Sequence, residues 1–134
     1  MNTKIHSLSE LIVQTLTSAQ YTQVTREVFL AIEAQIDDWL QCDVVDIDIS
    51  ANGGMLELGF VNGSKIILNT QPPLYEIWLA AQSGGFHYKL TDKGWRDFKE
   101  GTELYENLSL CVSQQANKPL SFGAVASLTA KRPN

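Results

Sequence analysis

Several things this chain has little of narrow what it can be. Cys42 and Cys111 are its only cysteines. They form no C-x-x-C and define no disulfide framework, which excludes a stapled secreted scaffold and points to a reducing compartment. Cys111 is expected to pack as a small hydrophobe. His6 and His87 are the only histidines and lie far apart in the chain. No H-E-x-x-H, G-x-S-x-G or P-loop occurs, and Ser83-Gly84-Gly85 is too short to cradle a phosphate. No apolar run approaches the roughly 20 residues of a membrane span. Residues 1–20 hold one lysine, no arginine and no long apolar core. That fits neither a secretory leader nor an Arg-rich transit peptide, so a bacterial cytosol is the expected location.

The sharpest absence is of positive charge. Between Arg26 and Lys65 there is no lysine or arginine, yet Glu33, Asp37, Asp38, Asp43, Asp46, Asp48 and Glu57 all fall there. Residues 1–60 carry nine acids and two bases, −7, whereas residues 61–134 carry six acids and eight bases, +2. A negative half repels phosphate backbones, which argues against nucleic acid, and suits cations or a basic protein surface. Acidic runs more often form a solvated, solubilising face. The functional alternative is cation binding by hard oxygen donors, suited to iron, manganese, calcium or magnesium, at an open and weak site because no EF-hand spacing is present. Solvated carboxylates have little reason for a raised pKa, so paired-carboxylate hydrolysis is not expected. The chain is read as a binding protein and not as an enzyme.

What is present describes one globular domain: 134 residues, 44 % hydrophobic and 19 % charged. Val24, Val28, Ile32, Ile36 and Trp39 recur at helical spacing and predict a helix from about 18–22 to about 40. An earlier segment, SLSELIVQTL, predicts a short extra helix, with Ser7 and Glu10 as a capping box. The period then becomes two. Val45, Ile47 and Ile49 alternate with Asp46 and Asp48, and Leu56, Leu58 and Phe60 follow after an Asn-Gly-Gly turn. Asn62-Gly63 signals a hairpin into KIILN. QPP interrupts, and LYEIWLA, GFHYKL and WRDF read as further strands. A last helix is expected from about 101–102, with Thr102 as N-cap and Leu104, Leu108, Cys111 and Val112 as its apolar stripe. Leu120 and Phe122 are expected to pack as an ordered tail, and residues beyond about 124 to be loosely held. Helices segregated from a meander of strands mean α+β, with both helices on one face of an antiparallel sheet and the other face wet.

Alternation also predicts what the wet face displays. If Ile66, Leu68, Ile77, Leu79, Phe86 and Tyr88 point inward, then Asn69, Glu76, Trp78 and His87 point outward, with Gln71 at the rim. A tryptophan on an open polar face is either a partner anchor or a side chain lying under a loop.

IEAQIDDW, NGGMLELGFVNGSKIILNTQPPLYEIWLA, GGFHYKL and GWRDFKEGTEL, in this order, closely resemble the frataxin family in its bacterial form, over about residues 21–122. The resemblance implies an α-β sandwich with two helices on an antiparallel sheet of five or six strands. It divides the chain into an extension (1–20), the frataxin-like domain (21–123) and a tail (124–134). It implies a role in iron–sulfur cluster assembly, with weak surface binding of ferrous or ferric iron and no organic cofactor. Expected partners are a cysteine desulfurase and an iron–sulfur scaffold protein, the chain being a monomer when iron-free. The alternative role is an iron carrier or store with, at most, weak ferroxidase activity. By resemblance Glu33, Asp37, Asp38, Asp46 and Asp48 match acidic-ridge positions, with Asp43 in a longer loop beside them. Trp78 matches the sheet tryptophan of the partner surface, with Asn69 and Gln71 as polar neighbours. Thr22 and Arg26 stand where relatives often carry His or acids, and Ala34 replaces a frequent glutamate, so the ridge is shortened at its N-terminal end.

Overall fold

The computed structural model describes residues 11–123. Helix α1 (Ser18–Gln41) is followed by strands β1 (Asp48–Asn52), β2 (Met55–Gly59), β3 (Lys65–Gln71), β4 (Glu76–Ala81), β5 (Gly84–Thr91) and β6 (Gly94–Asp97), then helix α2 (Leu104–Ala116). The strands form one antiparallel meander in chain order. Both helices cover the face built by Leu56, Leu58, Ile66, Leu68, Ile77, Leu79 and Tyr88, all essentially inaccessible. No helix among the described residues is long and apolar enough to cross a membrane.

Thr17 starts α1 with a capping box: its hydroxyl accepts from the Gln20 amide at 3.1 Å, and the Gln20 side chain accepts from the Thr17 amide at 2.9 Å. The box expected at Ser7 and Glu10 lies outside the described residues. The extra helix over SLSELIVQTL does not form where it is described. Val13 instead bridges Thr91 antiparallel, with Gln14 N–H donating to Leu90 O at 2.8 Å and Asp92 N–H to Ile12 O at 2.9 Å. The physical reason is in the register. Strand β4 begins at Glu76, paired with Lys89, so Leu90 and Thr91 extend past it and leave ladder groups that this segment satisfies.

The remaining differences are small. Helix α2 is capped by Glu103, not Thr102, because the Glu103 carboxylate reaches the amides of Tyr105 and Glu106 at 3.0 and 2.9 Å. Pro72–Leu74 form a single 3-10 turn, so the strand expected from Leu74 starts at Glu76. Gly53 takes φ +62 in the two-residue turn between β1 and β2, and Gly63 takes φ +88 in the next loop, conformations that favour glycine. Cys111 is buried and Cys42 exposed. The ordered tail packs as expected: Leu120 and Phe122 are buried, and the Phe122 ring meets Trp39 edge-on at 4.9 Å.

Candidate functional site

Two surfaces collect the candidate residues. The first follows the β1 edge of the sheet. Glu33 and Asp37 project from α1 beside Ile49 and Ala51, lining an open groove of about 450 Å³ between helix and edge strand. Asp38, Asp43, Asp46 and Asp48 are exposed. Asp43 takes φ +59 in the loop after α1. Asp48 pairs with Gly59 while Ile49 pairs with Leu58, so Asp48 belongs to the sheet face opposite the helices. The acids therefore wrap around the edge and do not converge on one point. Among the described residues no three His, Cys, Asp or Glu side chains gather to hold a metal ion.

None of these six acids has a cationic partner among the described residues; the ion pairs there involve Glu57, Glu76 and Asp92. Asp37 accepts only from Gln41, at 3.2 Å, a neutral contact. Lys118 comes to the end of the ridge, but its ammonium donates to the Val44 carbonyl. Among the described residues, apart from Lys118 at one end, the charge counted in the sequence thus has no cation set against it, which gives a negative field along one edge.

The second surface is the open face of β3, β4 and β5. Register places Asn69, Trp78 and His87 in one row across three strands, and Gln71, Glu76 and Lys89 in the next. Trp78 and His87 stack with centroids 4.0 Å apart and planes 5° from parallel. Trp78 is half-buried, its indole Nε1–H donating to Glu76 Oε1 at 2.7 Å. The other Glu76 oxygen is 3.0 Å from the Lys89 ammonium, and His87 Nδ1 lies 4.0 Å from Oε1, an ion pair only when the imidazole is protonated. Glu76 is thus a hub that fixes the indole from one side while His87 supports it from the other. The result is a rigid, flat aromatic platform with a polar frame.

Lys89 is the member of this cluster that reading the sequence missed. The signal was available: it lies two residues after His87 in a strand, hence on the same face, and only its ordinary character as a surface lysine hid it. Arg96 pairs with Lys89 in the next strand, but its guanidinium donates to the carbonyls of Lys93 and Gly101 at 2.9 Å each and is buried.

Burial pushes the Glu76 carboxyl up, but the hydrogen bonds from Trp78 and Lys89 and the charges of Lys89 and His87 outweigh it and hold its pKa below the ordinary 4.5. A carboxyl depressed in the folded state contributes stability that is fully present above its unfolded value. That contribution is lost as pH falls through the folded value. Glu76→Gln should therefore lower stability at neutral pH, and its difference from the wild type should shrink as pH drops below 4.5. Urea unfolding at pH 7 and pH 3 checks this; a difference that does not change with pH would remove the charge of Glu76 from the account.

Comparisons with known proteins agree with the fold. A family model for the frataxin-like domain matches residues 14–118, reaching into the segment before α1. Curated relatives from Burkholderia mallei (strain SAVP1) and Burkholderia pseudomallei (strain K96243), each named iron-sulfur cluster assembly protein CyaY, are 42 % identical over 109 residues, 81 % of this chain and the whole of the relative. A solved frataxin from Psychromonas ingrahamii superposes with a TM-score of 0.72 at 30 % identity, over 80 % of this chain and 98 % of that one. Yeast frataxin gives 0.63 at 20 % identity, over 77 % and 85 %, a likeness of fold.

Proposed function

The chain belongs to the frataxin-like family, and from that premise we propose that it serves iron–sulfur cluster assembly as a regulatory binding module, not as an enzyme. In this reading it docks on a cysteine desulfurase–scaffold complex and modulates sulfur transfer or iron delivery. The observation that carries the reading is the combination of two exposed surfaces on one rigid body. One is an acidic edge without cationic partners among the described residues; the other is a stacked Trp78–His87 platform three and four strands away. The edge supplies long-range attraction to a basic partner, and the platform supplies a flat apolar anchor once contact is made. Sequence relatives named for iron–sulfur cluster assembly support the choice of pathway.

Iron is cargo in this scheme, held by the edge carboxylates. Because the acids wrap around the edge and no three gather at one point among the described residues, an ion meets one or two carboxylates at a time and keeps most of its water. The expected dissociation constant is roughly micromolar, about 8 kcal/mol. Titration of iron into the isotope-labelled protein should broaden amide signals within residues 33–48. Uniform broadening, or broadening centred on His87, would count against the edge. The same titration repeated with desulfurase present separates this reading from that of an iron carrier. A carrier should hold iron as well in the partner's presence, whereas a module docked through the edge should bind it more weakly there.

A further inference from the structure

Tyr21 lies in the second turn of α1, 3 % exposed, with its ring in the core and its hydroxyl at the mouth of the β3–β4 hairpin. There the hydroxyl does two things. It accepts from the Gln71 amide at 2.9 Å and donates to the Glu76 carbonyl at 2.5 Å. Gln71 and Glu76 are the last register pair of β3 and β4. The hydroxyl thus relays the cross-strand bond that closes the ladder, at the point where the chain leaves through two prolines. The connection itself is strained: Tyr75 has φ +54, unusual for a bulky side chain. The Tyr75 ring rests edge-on against the Tyr21 ring, centroids 5.3 Å apart. One buried side chain therefore holds the backbone at both ends of the connection and touches its strained last residue.

What Tyr21 holds is the root of the open-face platform. Glu76 is the hub whose carboxylate accepts from the Trp78 indole at 2.7 Å. A shift of the Glu76 backbone moves that carboxylate, and with it the orientation of the indole on His87. We infer that Tyr21 is a positioning residue for the Trp78 platform, transmitting the placement of α1 through its hydroxyl to Glu76 and so to the partner-facing surface. The identity of that surface as a docking site rests on the proposed function; the mechanical link does not.

Tyr21→Phe removes the hydroxyl and keeps the ring. Ser113→Ala serves as a control, because the Ser113 hydroxyl likewise bridges backbone groups, donating to Leu120 O and accepting from Leu120 N at 2.9 Å each, far from the platform. Three readouts are compared in the full chain. In Tyr21→Phe, hydrogen exchange of the Gln71 amide should quicken about tenfold or more. The Trp78 indole Nε1–H resonance should shift or broaden. Affinity for the desulfurase–scaffold complex should fall roughly three- to tenfold. Ser113→Ala should lower the melting temperature similarly but leave the indole resonance and the affinity unchanged. If the indole signal of Tyr21→Phe matches the wild type, or if the two variants weaken binding alike, Tyr21 is an ordinary core residue and the inference fails. If the wild type itself does not bind the complex, the proposed function fails, while the amide and indole readouts still decide the role of Tyr21.

Discussion

If the chain docks on a desulfurase–scaffold complex as proposed, Trp78→Ala should weaken that binding by at least about 2 kcal/mol, about thirtyfold, while its thermal unfolding stays close to that of the wild type. This is the expected result if the platform is an anchor, because a handful of aromatic residues usually carries most of an interface's energy. The small stability effect follows from the contacts the side chain makes. Trp78 lies half-buried on the open face, outside the core, so its truncation gives up the His87 stack, one hydrogen bond to Glu76 and only part of the area a core tryptophan buries. Removing it does not orphan the Glu76 carboxylate, which keeps the Lys89 ammonium at 3.0 Å. A stacked aromatic pair contributes about 0.5–1.5 kcal/mol beyond its area. By contrast, Leu68 lies fully inside the core, and Leu68→Ala should cost roughly 2–5 kcal/mol of folding stability. Isothermal titration of the complex, with calorimetric unfolding of each variant, measures both quantities. A loss of stability for Trp78→Ala as large as that for Leu68→Ala would show that the indole is part of the core and that weakened binding reflects damage to the fold.

The platform was legible in the sequence for a definite reason. A strand has a period of two, and once one face is buried its register cannot slip by one residue without exposing every apolar side chain. Ile66, Leu68, Ile77 and Leu79 fixed that face, and Asn69, Glu76 and Trp78 followed from them. What alternation cannot supply is which outward residues become neighbours across strands, and here the pairs Asn69↔Trp78 and Trp78↔His87 came from the register. The segment at 11–16 failed for the opposite reason. Its local pattern suggested a helix, but its backbone partners are Leu90 and Asp92, some 80 positions away, and only the offset of β4 against β5 leaves those groups free. The N-cap of α2 moved from Thr102 to Glu103 because intrinsic preference was overridden by position. Glu103 is bridged to Arg96 on β6, which sets its carboxylate over the first amides of the helix. The acidic run was visible as a count of charges, but its shape was not. Asp48 falls on the face opposite the groove that Glu33 and Asp37 line, so what looks like one cluster in the chain is a band around the sheet edge.

That shape bears on the second large effect. A band of exposed carboxylates with no cationic partners among the described residues projects its field over a wide angle, which suits long-range steering better than one tightly coordinated contact. Replacing Asp37, Asp38, Asp46 and Asp48 together with asparagine should slow association with the desulfurase by roughly ten- to a hundredfold at low salt. The same replacement relieves repulsion among the acids, so folding stability should hold or rise. The opposite movement of the two quantities is diagnostic, because damage to the fold would lower both. Raising the salt on the wild type should reproduce the binding loss, as the screening length falls below about 8 Å at a few hundred millimolar. The fourfold variant should by then be nearly insensitive to salt. Stopped-flow association over a salt series, with urea unfolding of the same samples, tests both halves. If association of the wild type depends neither on salt nor on these four side chains, the acidic edge is not where the partner lands. Iron binding or plain solubility would then have to account for the aspartates, and the Trp78 platform would have to bring the partner in without electrostatic help.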